Sequence, residues 1–409
     1  MPDIAKGIMT ANTQSADANA AEQQQKLARY LSFLEYDPEN TNLLIDCLQL
    51  ALNLQAWDEA TRLIDKGMPL LSESAQFLGL AGHVFLALKT YDRARELLTH
   101  ALHITPNDPV VLMNAAHCHY YLDEHSAART LLESNSHLAE DFPDSYYLLY
   151  ARVLCQLDDA LAAIAQLDKL HSIREASAES AGLLSLLLFE EAADSEKAMT
   201  MANIALSKNP KSLEALISRT SLHMDLREYD LAFRDIQHAL DAYPRSGRAW
   251  SSMALVEFNN LKFESARDAA QNAVTYMTDH IGTWHLLGWA HLMLNELPEA
   301  LIAFQKSYDI DRRFANTHGG LASVYAHMGE IKLANNHIKL ADRLDPDGLA
   351  SAYAKIVLHN KNNKPEEAQH ILNKVKMMPH GNTGKTRQEA IDLRIQELLA
   401  QNTDKKNIH

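Results

Sequence analysis

Ten alanines stand in one register along this chain: Ala60, Ala94, Ala128, Ala163, Ala198, Ala232, Ala266, Ala300, Ala334 and Ala368. They are 34 residues apart, except at the steps into Ala163 and Ala198, where the spacing is 35. A register held that long predicts a row of similar units, each burying its apolar face against its neighbours rather than in one central core. Other positions keep the same phase. Seven residues after each alanine come Gly67, Ala101, Asn135, Leu170, Ala205, Ala239, Ala273, Ser307, Ala341 and Val375, most of them small. Twelve after it stand Pro106, Pro210, Pro244 and Pro346, with Pro38 in phase one unit earlier. Three before it stand the bulky Trp57, Tyr91, Tyr229, Phe263, Leu297 and Ile331.

One unit shows what the period encodes. From Ile281, Trp284, Leu287, Gly288 and His291 recur at helical spacing, a turn follows at Asn295–Pro298, and Ala300, Phe304 and Ser307 resume the helical pattern. Gly288 and Ala300 let two antiparallel helices approach closely, while Trp284, Leu287 and Phe304 fill the space between them. Pro298 falls just inside the second helix, where its missing N–H costs nothing. A proline at the end of the unit stops that helix before the next pair begins. The scarcity of glycine (14) and proline (12) agrees with helix rather than with a turn-rich β fold.

These residues resemble the tetratricopeptide repeat, whose signature is W-x2-L-G-x2-Y, then A-x3-F and P over 34 residues. Trp284, Leu287, Gly288, Ala300 and Phe304 match it, as do Leu78, Gly82, Phe85, Ala94, Leu98, Ala101 and Pro106, and Trp250, Ala254, Ala266 and Ala273 give another copy. The resemblance implies an all-α fold, a right-handed superhelical solenoid of antiparallel helix pairs with helical caps. It covers ten units over 41–376, with an irregular stretch expected near 135–200, where the matches loosen and both 35-residue spacings fall. Residues 1–22 read as a disordered, polar, Ala- and Gln-rich segment. Residues 23–40 read as an N-terminal capping helix carrying Leu27, Tyr30, Leu31, Phe33 and Leu34. Residues 377–409 read as a linker, a C-terminal capping helix over 388–401 and a frayed tail.

Charge narrows the partners. The net charge is −15 and the pI about 5.7, so phosphate backbones and anionic membranes are repelled, and no nucleic acid is expected. Residues 355–409 depart from this with a net +4, read as a solvated end or as a basic tail for an acidic partner. The longest apolar region, about 281–294, is too short for a bilayer and no signal-peptide stretch opens the chain, so no membrane insertion is expected. Cys47, Cys118 and Cys155 form no C-x-x-C pair and lie in helical patterns, which predicts buried reduced thiols and a cytoplasmic location.

Motifs for chemistry are weak. Residues 379–386, PHGNTGKT, end like a phosphate-binding loop, but Pro379 replaces the first glycine and no strand precedes it. His117–Cys118–His119 cannot converge on one ion from a single helix, and His100/His103 and His285/His291 lack a nearby fourth ligand. Catalytic residues, metal and cofactors are therefore expected to be none, with a nucleotide- or metal-dependent enzyme kept as a remote alternative.

What remains is binding. In proteins resembling this one, the first helix of each pair lines a concave groove through the second, fifth, ninth, twelfth and thirteenth unit positions. Here these include His83, His117, Tyr120, Tyr121, Met224, Phe258, His285, Trp289, Leu292 and His327, an apolar and aromatic surface with few charges. The carboxylate clamp of some members is matched by Asn114 alone, since Gly79, His83, Met113 and His117 stand where polar clamp residues would be. The expected function is a non-catalytic scaffold holding a protein or peptide partner in this groove. The alternative is a structural subunit of a larger assembly (envelope biogenesis, secretion or a transferase complex) binding through its ends or convex face. Partner identity, pathway and oligomeric state are not encoded in any motif.

Overall fold

The computed structural model describes residues 3–379 except 193, together with 386–389 and 392, and side chains from residue 20 onward. These residues are helical throughout, apart from one isolated antiparallel bridge between Pro379 and Thr386. The chain divides into two compact units, one built of 1–180 with 190–192 and the other of 181–189 with 193–409.

The first unit opens with α1 (Asp3–Tyr36) and continues with three pairs: α2 (Thr41–Asn53) with α3 (Trp57–Leu71), α4 (Ala75–Ala87) with α5 (Tyr91–Ile104), and α6 (Pro109–Tyr121) with α7 (His125–Ser134). A single turn, α8 (Leu138–Asp141), precedes the pair α9 (Pro143–Gln156) and α10 (Ala160–Ile173). Helix α11 (Ala178–Leu187) runs across the division and ends in a π turn over Leu188–Ala192. The second unit then carries α12 (Ser195–Lys208) and five pairs. These are α13 (Leu213–Asp225) with α14 (Tyr229–Ala242), α15 (Gly247–Asn259) with α16 (Phe263–Tyr276), α17 (Ile281–Met293) with α18 (Leu297–Ile310), α19 (Ala315–Met328) with α20 (Ile331–Leu344), and α21 (Leu349–Lys361) with α22 (Pro365–Met377).

The alanine ladder is the seam of this architecture. Every ladder alanine is buried, and apart from Ala198 on α12 each lies on a second helix that packs on the first helix of its own pair. Phe304 shows how tight the crossing is: a Cβ built on Gly288 or on Gly320 would fall within 2.8 Å of its ring, so one phenyl is clasped between two successive pairs. Successive first helices also pack on each other, α13 on α15, α15 on α17, α17 on α19 and α19 on α21. Each second helix packs on the first helix of its own pair and of the next, so successive second helices flank a channel floored by a first helix.

Local chemistry fixes the helix ends. Asn40, Ser74, Asp108 and Ser246 each accept from a backbone N–H of the first turn of α2, α4, α6 and α15. The turn inside each pair is closed by one residue with positive φ, as at Gln55, Lys89, Asp123, Arg227 and Asn295, with Gly329 in the same role. Trp250 Nε1 donates to the Pro244 carbonyl at 2.9 Å and Trp284 Nε1 to that of Thr278 at 2.6 Å, and His318 meets the Arg312 carbonyl six residues back at 2.8 Å in the same manner. Trp250 and Trp284 thus tie α15 and α17 to the turns before them, besides filling space.

Two regions add detail to the sequence-based reading. Helix α1 runs from Asp3 to Tyr36 and so includes the stretch before 23, where six of residues 3–22 are alanine, the strongest helix former. The two 35-residue spacings have distinct physical forms. In the first, α7 is cut to 10 residues and the extra turn α8 fills the gap; in the second, the π turn at Leu188–Ala192 absorbs a residue by bonding one position further along the chain. The expected C-terminal capping helix falls mostly outside the described residues.

Candidate functional site

The ten groove candidates fall into two sets, one on each unit. On the first, α4, α6 and α9 lie side by side. His83 is half-buried and its Nδ1 accepts from the Asn114 amide at 3.3 Å. His117 is half-buried; burial, then the Arg152 guanidinium and His83, push it down to about 4, so its ring is neutral at pH 7. Tyr121 is 46% exposed, stacked on Tyr91 at 5.0 Å and edge-on to Tyr120 at 5.3 Å. Tyr120 is half-buried, its phenol raised chiefly by burial. Arg152 faces His117 and Tyr120 and makes no ion pair among the described residues. An exposed ring and an unpaired guanidinium can receive a peptide carrying apolar groups and acceptors. Arg152 and Tyr91 were not among the sequence candidates, because the match to the repeat signature loosens around α9 and because Tyr91 belongs to a second helix.

On the second unit the candidates are more committed to their own chain. Trp289 Nε1 donates to His285 Nε2 at 2.8 Å, and its ring lies edge-on to Phe304 and Tyr353, each at 5.7 Å. That bond places the His285 proton on Nδ1, which is buried without an acceptor and ringed by Phe304 and Phe314. Burial pushes the His285 pKa down to about 4. Leu292 is buried in the same cluster. His327 pairs with the Tyr353 hydroxyl at 3.1 Å. Phe258 lies half-buried against Phe263, and Met224 is half-buried beside the core of α13–α15. Sequence periodicity finds the helix face but cannot reveal Tyr353, two pairs beyond Trp289, as the partner that occupies it.

The remaining motifs have local explanations. His119, His223 and His291 each face a glutamate five residues on, at 2.6 Å, and in two cases an arginine of the preceding second helix completes the clasp: Arg95–Glu124–His119 and Arg267–Glu296–His291. Of PHGNTGKT only Pro379 and Thr386 are described; Thr386 caps a helix start, with its backbone N–H and hydroxyl bonded to Glu389 in a capping box. Among the described residues no group of three His, Cys, Asp or Glu is placed to hold a metal ion, and no helix is long and apolar enough to cross a membrane. Cys47 and Cys118 are buried and unbridged, with thiols pushed up to about 11 by burial.

Comparison with known proteins gives the same fold. A tetratricopeptide-repeat family model matches residues 85–153. The tetratricopeptide repeat and J domain-containing co-chaperone DNJ1 of Mycosarcoma maydis is 30% identical over 95 residues, which is 23% of this chain and 16% of that protein. A chain of the APC/C hetero-tetramer Cut9–Hcn1 superposes with a TM-score of 0.55 at 18% identity, over 83% of this chain and 67% of its own length.

Proposed function

Since this chain is a tetratricopeptide-repeat protein, we propose that it serves as a non-catalytic structural subunit of a larger protein assembly, held there through its outer helices and ends. The observation that carries this reading is the commitment of Trp289: its indole N–H and both its ring contacts are taken by His285, Phe304 and Tyr353 of its own chain. Large apolar side chains instead reach solvent from second helices, among them Ile302, Leu333 and Leu340. The Cut9–Hcn1 neighbour belongs to a hetero-tetramer, a precedent for this role in the same fold.

A second reading is favoured by Tyr121 and Arg152, which leave the first-unit face open to a peptide. Substituting both Trp289 and Phe258 with alanine separates the uses of the second-unit face. Assembly through outer surfaces predicts that the double variant, with helical circular dichroism retained, still copurifies with the native complex. Loss of the complex in that variant moves the function to the groove. Loss on Tyr121→Ala alone assigns it to the first-unit face.

A further inference from the structure

We propose that the channel between α18 and α20 is a docking seat for an acidic amphipathic helix of a partner protein. The proposal rests on the reading of the chain as an assembly subunit and names the surface and partner chemistry for it. Along α20, Leu333, Leu340 and Leu344 are 41%, 39% and 44% exposed. At 100° per residue they fall within about 40° of one another, a leucine stripe over about 16 Å of helix. His337 lies on the same side, stacked on Tyr325 of α19 at 5.6 Å and edge-on to Tyr308 of α18 at 6.4 Å. The stripe therefore borders the channel, not the open outer surface. Across from it, Tyr325 forms the floor of an open cavity of about 430 Å³ whose other lining comes from α18: Leu301, Ile302, Gln305, Lys306 and Asp309.

Charge selects the occupant. Lys332, Lys339 and Arg343 form a second stripe along the outer rim of α20, all exposed and none in an ion pair among the described residues. Three exposed cations thus stand beside three half-exposed leucines in a chain whose net charge is −15. An amphipathic helix of about three turns, leucine-like on one face and acidic on the flanks, satisfies both stripes at once. An anionic membrane fits less well: the stripe carries no aromatic anchor, the leucines are half-sunk between helices, and the chain's overall charge repels such a surface.

The test uses the full chain, a triple variant (Lys332→Glu, Lys339→Glu, Arg343→Glu) and a double variant (Leu333→Ser, Leu340→Ser), each checked for unchanged helical circular dichroism. The probe is a fluorescein-labelled 18-residue helical peptide with leucine at every third or fourth position and glutamate between, beside a twin with lysine for glutamate. Saturable anisotropy with the glutamate peptide, weakened at least about tenfold in both variants and absent with the lysine twin, is the expected result. No saturable binding to the wild type, or equal binding by the variants, overturns the proposal. So does cosedimentation of the chain with phosphatidylserine vesicles in the absence of peptide binding, which would make the face a membrane contact. Copurification of the native complex is followed in parallel. If both variants keep the complex, the assembly reading survives and only this seat is lost; if even the wild type yields none, the assembly reading itself fails.

Discussion

Fifteen residues into most units, a single side chain sits in left-handed backbone to turn the chain from one helix to its partner. Glycine occupies that position once, at Gly329 (φ 83°), yet Leu261 holds φ 59° with its side chain 56% exposed. A leucine there has neither the freedom of glycine nor the local hydrogen bonding of asparagine. Leu261→Gly should therefore raise the stability of the second unit by about 0.5–1 kcal/mol, the relief exceeding the added freedom of the unfolded chain. Thermal and urea midpoints check this; an unchanged or lower midpoint contradicts it. A second residue-scale consequence concerns acid. His117 is held neutral by burial, with a pKa near 4 against an ordinary 6.5, so its protonated form favours the unfolded chain. Its contribution is complete above pH 6.5 and is lost as pH falls towards 4, by up to about 3 kcal/mol at 1.36 kcal/mol per unit. His117→Gln should flatten the stability profile of the first unit between those values, and an unaltered slope in a pH series of urea melts would refute it. Neither feature is legible in the sequence: the turn position is filled by Gln, Lys, Asp, Arg, Leu and Asn alike, and a histidine on a helical face does not disclose the arginine on the neighbouring helix.

At the scale of the element, the helix pair was readable because its tightest contacts admit few residue types. The ladder alanines, Gly288 and Phe304 could be assigned partners from spacing alone, and the structure places them in contact as expected. The clasp between pairs was not readable, since its members change charge from unit to unit. His–Glu in three units becomes Glu257–Lys262 at 3.4 Å in another, and in the last pair His359 meets Glu367 at 2.7 Å. Compensating exchanges of this kind leave no fixed residue type for a motif to record. The irregular stretch was readable as a change in spacing but not as the short α8 or the π turn that produce it. The prediction that belongs to this scale is Gly288→Ala. Its added methyl would lie 2.8 Å from the Phe304 ring, which is also pressed by Gly320 and cannot withdraw. Overpacking of this kind costs about 1–3 kcal/mol. Hydrogen exchange should accelerate in α17, α18 and α19 and remain unchanged in α2–α5, because a repeat array transmits strain chiefly to adjacent units. Uniform acceleration across the chain would contradict nearest-neighbour packing.

For the whole molecule, the fold was nearly complete in the sequence and the function was not. Periodicity names the family because it is imposed by backbone packing, which every unit must satisfy. A binding surface is under no such demand: it needs only side chains that the packing leaves unused. The candidate groove illustrates the difference, since its position follows from helix phase while the use of Trp289 by His285, Phe304 and Tyr353 depends on residues in three helices. The leucine and cation stripes of α20 lay in plain view as an amphipathic pattern, but only the structure sets His337, on the leucine side of α20, against Tyr325. The proposed role is that of a stoichiometric member of a protein assembly. The most direct test is the native mass of the tagged chain purified gently from its own cells, by light scattering after gel filtration. The expected result is a discrete complex above the 45.8 kDa of the chain, containing another protein in fixed ratio. A monomer, or a complex holding only copies of this chain, would contradict it.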